Sequence, residues 1–304
     1  MKIGYRRAAG KLPLTDNETG ARGTWLEKRL ALLRELRQRN HEILYWNNLT
    51  DPSKEAGLRT DAYQPVDLLI IEFAGGNLSF YRDDYNLTNA IIKEHAGPIL
   101  YLCDDPDLPY PWHTLPNEDW SRWTIGINAI NLNAARKALK IPTPARVIDL
   151  PFASLLPQHP YQTPDALAAI YYGRPNGRTN LIKRYLGPKL LIAGKPKEWA
   201  ELGIPPLTPP EQHQRAYWYS RFAICLALYD NKHAQLGFRT GRAYHALNAG
   251  TPVTAPIGNP GLAWTAPAKN HTDLAALINT DLAELHKKQL RNAHPAFPWQ
   301  ELNL

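Results

Sequence analysis

The chain has 304 residues, 44% hydrophobic and 21% charged, with a formal net charge of +7. That supplies the core of one large or two ordinary domains, and no apolar run approaches the roughly 18 residues of a membrane span. Two distant cysteines, Cys103 and Cys225, exclude a disulfide framework and a thiolate metal site, and fit a reducing compartment. The first residues, Met1 to Arg7, lack an apolar signal-peptide core, so a cytoplasmic protein is expected. The charge is uneven. Residues 1–160 carry 19 basic and 19 acidic side chains, and residues 161–304 carry 16 and 9. A basic second half is suited to an anionic ligand, although a solvated basic surface would look the same.

In chain order, Met1–Tyr5 reads as a short strand, followed by a polar loop from Arg6 to Gly23. Thr24 caps a helix running to Asn40 with Leu26, Leu30, Leu33 and Leu36 on one face. Glu42–Trp46 is a second strand. Val66–Phe73 is a continuous apolar run, as expected of a buried parallel strand. A helix over Thr88–His95, a strand over Pro98–Cys103 and a strand over Arg146–Leu150 complete the first half. Four prolines between 151 and 165 suggest an interdomain linker. The alternation then restarts: strand Leu167–Tyr172, helix Thr179–Leu186, strand Lys189–Ala193, a long helix Pro209–Arg221, strand Ala223–Tyr229, a helix, and a strand from Val253. A last helix over about Thr272–Asn292 is placed to pack back on the first half. The pattern predicts an α/β protein with domains at 1–160 and 161–280 and a C-terminal segment at 281–304.

The richest stretch is Leu236 to Val253: a basic loop with Arg239, Thr240, Gly241 and Arg242, a helix carrying Tyr244 and His245, a glycine stop, and a strand. A helix start with guanidinium groups beside it attracts an anion such as a diphosphate. Two further strand-following loops carry cations, Gly173-Arg174 (with Arg178) and Gly194-Lys195. In an open parallel sheet such loops converge on one crevice. The ending Ala249-Gly250-Thr251-Pro252-Val253 resembles the E-A-x-A-x-G-T-P-V signature of the C-terminal domain of GT-B glycosyltransferases. The resemblance covers roughly 165–260 and implies two Rossmann-like domains facing a central cleft. It assigns Arg174, Lys195, Arg242 and Tyr244 to the donor diphosphate. Retaining members often carry two glutamates flanking this signature; here those positions are near Gly237 and at His245, which stands as a candidate ribose ligand.

Asp104-Asp105-Pro106-Asp107 follows a strand of the first half. Asp104 or Asp105 is a candidate general base for an acceptor hydroxyl, with Glu72 as a second candidate and turn capping as the plain alternative. Asp105-Pro106-Asp107 also fits a D-x-D metal pattern, set aside because the cationic loops already serve a diphosphate, so no metal is expected. Gly20 and Gly23 permit close backbone approach to donor or acceptor. Trp112, Trp120 and Trp123 offer rings for stacking, or for the core. In size and charge the chain looks like the bacteriophage glycosyltransferases that modify hydroxymethylated bases of DNA. That likeness implies a UDP-sugar donor, a double-stranded DNA acceptor, and phosphate contacts from Arg6, Arg7, Lys11, Arg22, Arg82 and Arg122, with Asp107 and Trp112 near the acceptor. A glycan, lipid-linked or small-molecule acceptor, and a non-catalytic binding module, stay open.

Overall fold

The computed structural model of the chain describes residues 1–6, 24–46, 63–72, 89–103, 112, 115, 117–175, 177–200, 202–208 and 215–304. Two wholly parallel sheets organise these residues. The first contains β1 (Lys2–Arg6), β2 (Glu42–Trp46), β3 (Leu68–Glu72), β4 (Ile99–Cys103), β5 (Trp123–Ile127) and β6 (Arg146–Asp149), in the order β2-β1-β3-β4-β5-β6. The second contains β7 (Ala166–Tyr172), β8 (Leu190–Ala193), β9 (Phe222–Leu226), β10 (Val253–Ala255) and β11 (Ala266–Pro267), ordered β11-β10-β9-β7-β8. In each sheet the strand order reverses beside the first strand, which opens a crevice at the carboxyl ends there.

Helices flank both sheets: α1 (Thr24–Gln38), α2 (described over 89–94), α3 (Leu132–Ala138), α4 (Thr179–Lys183), α5 (Pro196–Ala200), α6 (Arg215–Ser220), α7 (Asn231–Leu236), α8 (Gly241–Asn248), α9 (His271–Ile278) and α10 (Leu282–Ala293). The strands are buried on both faces. One apolar cluster around Ile71, Tyr101 and Trp123 lies on one side of the first sheet, and another around Ile3, Leu33 and Leu100 lies on the other. The second sheet is sandwiched in the same way. This explains the near-continuous apolar runs. Among the described residues no helix is long and apolar enough to cross a membrane.

Several expectations change. Trp123 begins β5, a central strand hidden by its Trp-Thr-Ile-Gly-Ile pattern, and α3 follows it. The expected final helix is two helices, because Asn279 ends α9 and the Asp281 carboxylate caps α10. Only Arg215–Ser220 of the long helix expected from Pro209 lies among the described residues. The proline-rich stretch after β6 is packed: Phe152 and Ala153 are buried, and the Asn248 amide donates to Ala153 O at 3.1 Å. After α10 the chain returns to the first sheet. Phe297 is buried beside Phe152, and Arg39 stacks on Trp299. Gly250 has φ 92°, and a side chain there would meet Pro160 O, so the Gly-Thr-Pro turn needs glycine.

Candidate active site in the cleft

At the carboxyl edge of the second sheet, Gly173 follows β7 and Gly194 follows β8, and the two touch. A Cβ on Gly194 would overlap Gly173 O and lie 2.5 Å from Trp199 Nε1. Trp199, fully buried under the two loops, donates its indole N–H to Gly173 O at 2.9 Å. A Cβ on Gly173 would overlap the Arg242 guanidinium. Gly173 therefore leaves room for Arg242, at the start of α8, to lie across the end of β7, and Gly194 leaves room for Gly173 O and Trp199. Arg242 makes no hydrogen bond or ion pair among the described residues, and Lys195 is exposed and makes none either. Arg174 is an exposed cation loosely paired with Glu198 at 3.5 Å, a contact that contributes little in water.

The start of α8 carries no side-chain cap. Thr240 stands at the N-cap, yet its hydroxyl oxygen is buried without a partner. Ala243 N–H is already bonded to Thr240 O at 3.1 Å, so the N–H groups of Gly241 and Arg242 are the ones left for an external acceptor. His245 lies one turn further on, 8% exposed.

Other candidates are placed differently. Arg239 does not face a donor: its guanidinium grips the Asp149 carboxylate with both terminal nitrogens, one at 2.6 Å, and is 4% exposed. Burial opposes its charge, but the Asp149 carboxylate outweighs burial and holds Arg239 above the ordinary arginine range. Tyr244 is buried inside the helix packing. Its hydroxyl donates to Gly261 O at 3.2 Å and accepts from Trp264 Nε1 at 3.0 Å, and burial pushes its pKa up to about 12. The expected diphosphate contact from Tyr244 is therefore replaced by a core network. Arg178 pairs with Asp230 at 3.6 Å, and Asp230 also caps α7 and accepts from the His233 ring at 2.7 Å. Desolvation raises the Asp230 pKa, but the His233 and Arg178 contacts prevail and hold it below the usual carboxylate value.

In the first half, Trp112 is core: it is 8% exposed, donates its indole N–H to Leu139 O at 2.8 Å, and meets Tyr101 edge-on. It offers no open face for stacking. Arg6 ends β1 at 2% exposure, so it is a buried cation rather than an open phosphate contact. Arg122 is used by Glu118 and by the carbonyls of Ile92 and His95. Glu72 ends β3 at the crevice; its backbone position alone is described. Gly20, Gly23, Arg7, Lys11, Arg22, Arg82, Asp104, Asp105 and Asp107 lie outside the described residues. Asp104 does follow β4 directly, and the neighbouring Asn128 N donates to Cys103 O at 3.3 Å. Among the described residues no group of three or more acidic, histidine or cysteine side chains gathers to hold a metal.

The halves meet at these edges. Residues 236–239 run antiparallel to 128–131, with Ala129 bridging Phe238, and Leu236 and Phe238 join a first-half cluster. The carboxyl ends of the two sheets thus face each other across a cleft, with α8 at its second-half wall. This is the GT-B fold.

No family model matches the chain, and no curated protein matches it in sequence. Solved structures match its fold. T4 phage beta-glucosyltransferase, an enzyme also solved with UDP-glucose, shares 13% identity at a TM-score of 0.72, over 96% of this chain and 95% of that one. The same T4 protein has been solved with UDP and Mn2+. An alpha-glucosyltransferase in complex with UDP shares 11% identity at a TM-score of 0.60, over 100% of this chain and 98% of that one. Alpha-glucosyltransferase has also been solved with UDP and a 13-mer DNA containing a central A:G mismatch, matching at 11% identity with a TM-score of 0.58, over 99% of this chain and 95% of that one.

Proposed function

We propose that this protein is a glycosyltransferase that moves a sugar from a UDP-sugar to the hydroxyl of a 5-hydroxymethylated pyrimidine in double-stranded DNA. The observation that carries the reading is Arg242, held across Gly173 at the uncapped start of α8 with no partner among the described residues. The likeness in fold to glucosyltransferases solved with UDP-glucose and with DNA supports it.

In this reading the diphosphate lies on the first N–H groups of α8 and on Arg242, with Lys195 and Arg174 beside it. His245 reaches the ribose. The acceptor oxygen attacks the anomeric carbon, the bond from that carbon to the diphosphate oxygen breaks, and UDP leaves with its charge matched by these cations. Asp104 or Asp105 takes the acceptor proton, with Glu72 as the alternative base. The donor side is cationic rather than acidic, so the described residues serve the diphosphate directly. The pyrimidine leaves the duplex stack to reach the cleft. The domain division at 160/161, with 281–304 as a returning segment, and a cytoplasmic setting within an infected host belong to the same proposal.

The test is UDP release from a panel of UDP-sugars, with hydroxymethylcytosine DNA, unmodified DNA or no DNA. Release stimulated by the modified DNA alone supports the proposal. Donor binding without that stimulation refutes the DNA acceptor and points to a glycan, lipid-linked or small-molecule acceptor. No donor binding refutes the enzyme and leaves a non-catalytic module.

A further inference from the structure

We infer that Asp149 is a positioning residue: through Arg239 it fixes the start of α8, and the diphosphate proposed to sit there, against the carboxyl edge of the first sheet. This rests on the donor site proposed above. Asp149 is the last residue of β6, and Arg239 is two residues before Gly241. The pair is fork to fork, which fixes direction as well as distance. Arg239 is also held through its backbone. Its N–H donates to Asn128 O at 3.0 Å, and its carbonyl accepts from the Asn128 amide at 3.1 Å. The far end of α8 is tied to the segment after β6 as well, because Asn248 donates to Ala153 O and accepts from His159 N at 2.7 Å. The helix that presents the donor is therefore fastened at both ends to chain that leaves the first sheet.

That arrangement bears on rate. When donor and acceptor sit on different halves, the anomeric carbon and the attacking oxygen must come within about 3–3.5 Å in line, and an error of about 1 Å costs on the order of 100-fold. Among the described residues, the Asp149–Arg239 pair is the charged contact nearest the start of α8 that crosses between the halves. Arg239 has both terminal nitrogens occupied by Asp149, so its contribution is to place Arg242 and the helix N–H groups, not to touch the donor.

The test compares D149N, R239K and D149E with the unaltered chain in four readouts: thermal midpoint, UDP affinity by calorimetry, kcat with UDP-glucose and hydroxymethylcytosine DNA, and an interspin distance across the cleft. Labels at K137C on α3 and K183C on α4 report that distance, since both lysines are exposed and Cys103 and Cys225 are buried. D149N and R239K are expected to hold UDP within about twofold, lose about 100-fold in kcat and broaden the distance distribution, with D149E recovering at least about tenfold of the rate. An unchanged distribution, or UDP affinity and thermal midpoint falling together with kcat, overturns the proposal. If the unaltered protein shows no turnover, the functional reading fails, and the distance distribution and UDP affinity still decide the clamp.

Discussion

Gly173→Ala separates the donor site from the fold around it. The new Cβ would lie 2.9 Å from Arg242 Cζ, against an ordinary carbon contact of about 3.5–4.0 Å. Arg242 Nη1 overlaps the new Cβ still more closely, so the guanidinium must retreat by roughly 1.5 Å, and because it is the far end of a flexible side chain it can do so with little cost to the fold. In the proposed donor site the loss is one charge-assisted hydrogen bond to the diphosphate, about 1.5–3 kcal/mol. UDP affinity should therefore fall about 10- to 150-fold. Gly194→Ala is the contrasting case. Its Cβ would run into Gly173 O and into Trp199 Nε1 at 2.5 Å, and neither the backbone nor a fully buried indole can retreat. Overpacking there should cost about 1–3 kcal/mol of stability. The assay is UDP calorimetry with parallel chemical denaturation, extended to Arg242→Ala alone and combined with Gly173→Ala. Once Arg242 is gone, the close neighbour left to the Gly173→Ala methyl is the Tyr171 hydroxyl at 3.0 Å, which has to give by only a few tenths of an ångström, so the double variant should bind UDP nearly like Arg242→Ala. A further loss in the double variant, or normal UDP affinity in Gly173→Ala, would refute the assignment.

Asp104→Ala or Asp105→Ala should abolish DNA-stimulated UDP release while leaving UDP affinity within about twofold; full turnover in both variants removes them as the base. Phe297→Ala should destabilise the protein by about 3 kcal/mol in denaturant unfolding, because the ring is buried in the first-half cluster beside Phe152. A negligible change would show that the returning segment contributes no packing. His294 is half-buried, with both ring nitrogens out of water and unbonded, and desolvation lowers its pKa to about 4. The unfolded chain, at about 6.5, binds more protons between pH 4 and 6.5, so this histidine's contribution is complete above pH 6.5 and is lost as pH falls through that window. Allowing for its partial exposure, His294→Leu should flatten the acid side of the stability profile by roughly 2 kcal/mol; an unaltered profile would contradict the burial argument.

The donor half was legible because each of its signals is local. Gly173 and Gly194 follow strands, Arg242 opens a helix, and Gly250 stops it, all within a few residues of an apolar run. Arg239 looked the same as Arg242 in sequence, three residues away on the same loop. Only the fold reveals that its partner is Asp149, 90 positions earlier, and that Tyr244 turns inward to Trp264. Arg6 and Trp112 misled for a related reason: an arginine and a tryptophan beside polar residues suggest a surface, whereas β1 and the Tyr101 edge bury them. The break between α9 and α10 was readable in principle, since Asn279-Thr280-Asp281 is a stop followed by a cap, but the apolar periodicity runs across it.

The two acidic positions missing from the signature have a physical account. Gly237 is the left-handed C-cap of α7, at φ 61°, and a Cβ on it would already touch Ile130, Asn131 and Pro260. A glutamate there would carry backbone strain and would have to grow into the first half, so the contact between halves has taken the space a carboxylate needs. His245, at 8% exposure inside α8, leaves no acidic group at the other position. With neither carboxylate on the donor side, the proposed mechanism gives proton removal to Asp104 or Asp105, which follow β4 in the first half. In that proposal the acceptor attacks from the face opposite the leaving group, which inverts the anomeric centre. An α-linked UDP-glucose should give a β-linked product, read from the anomeric proton coupling of the released nucleoside. An α-linked product would sink both the aspartate base and the placement of acceptor and donor on opposite walls.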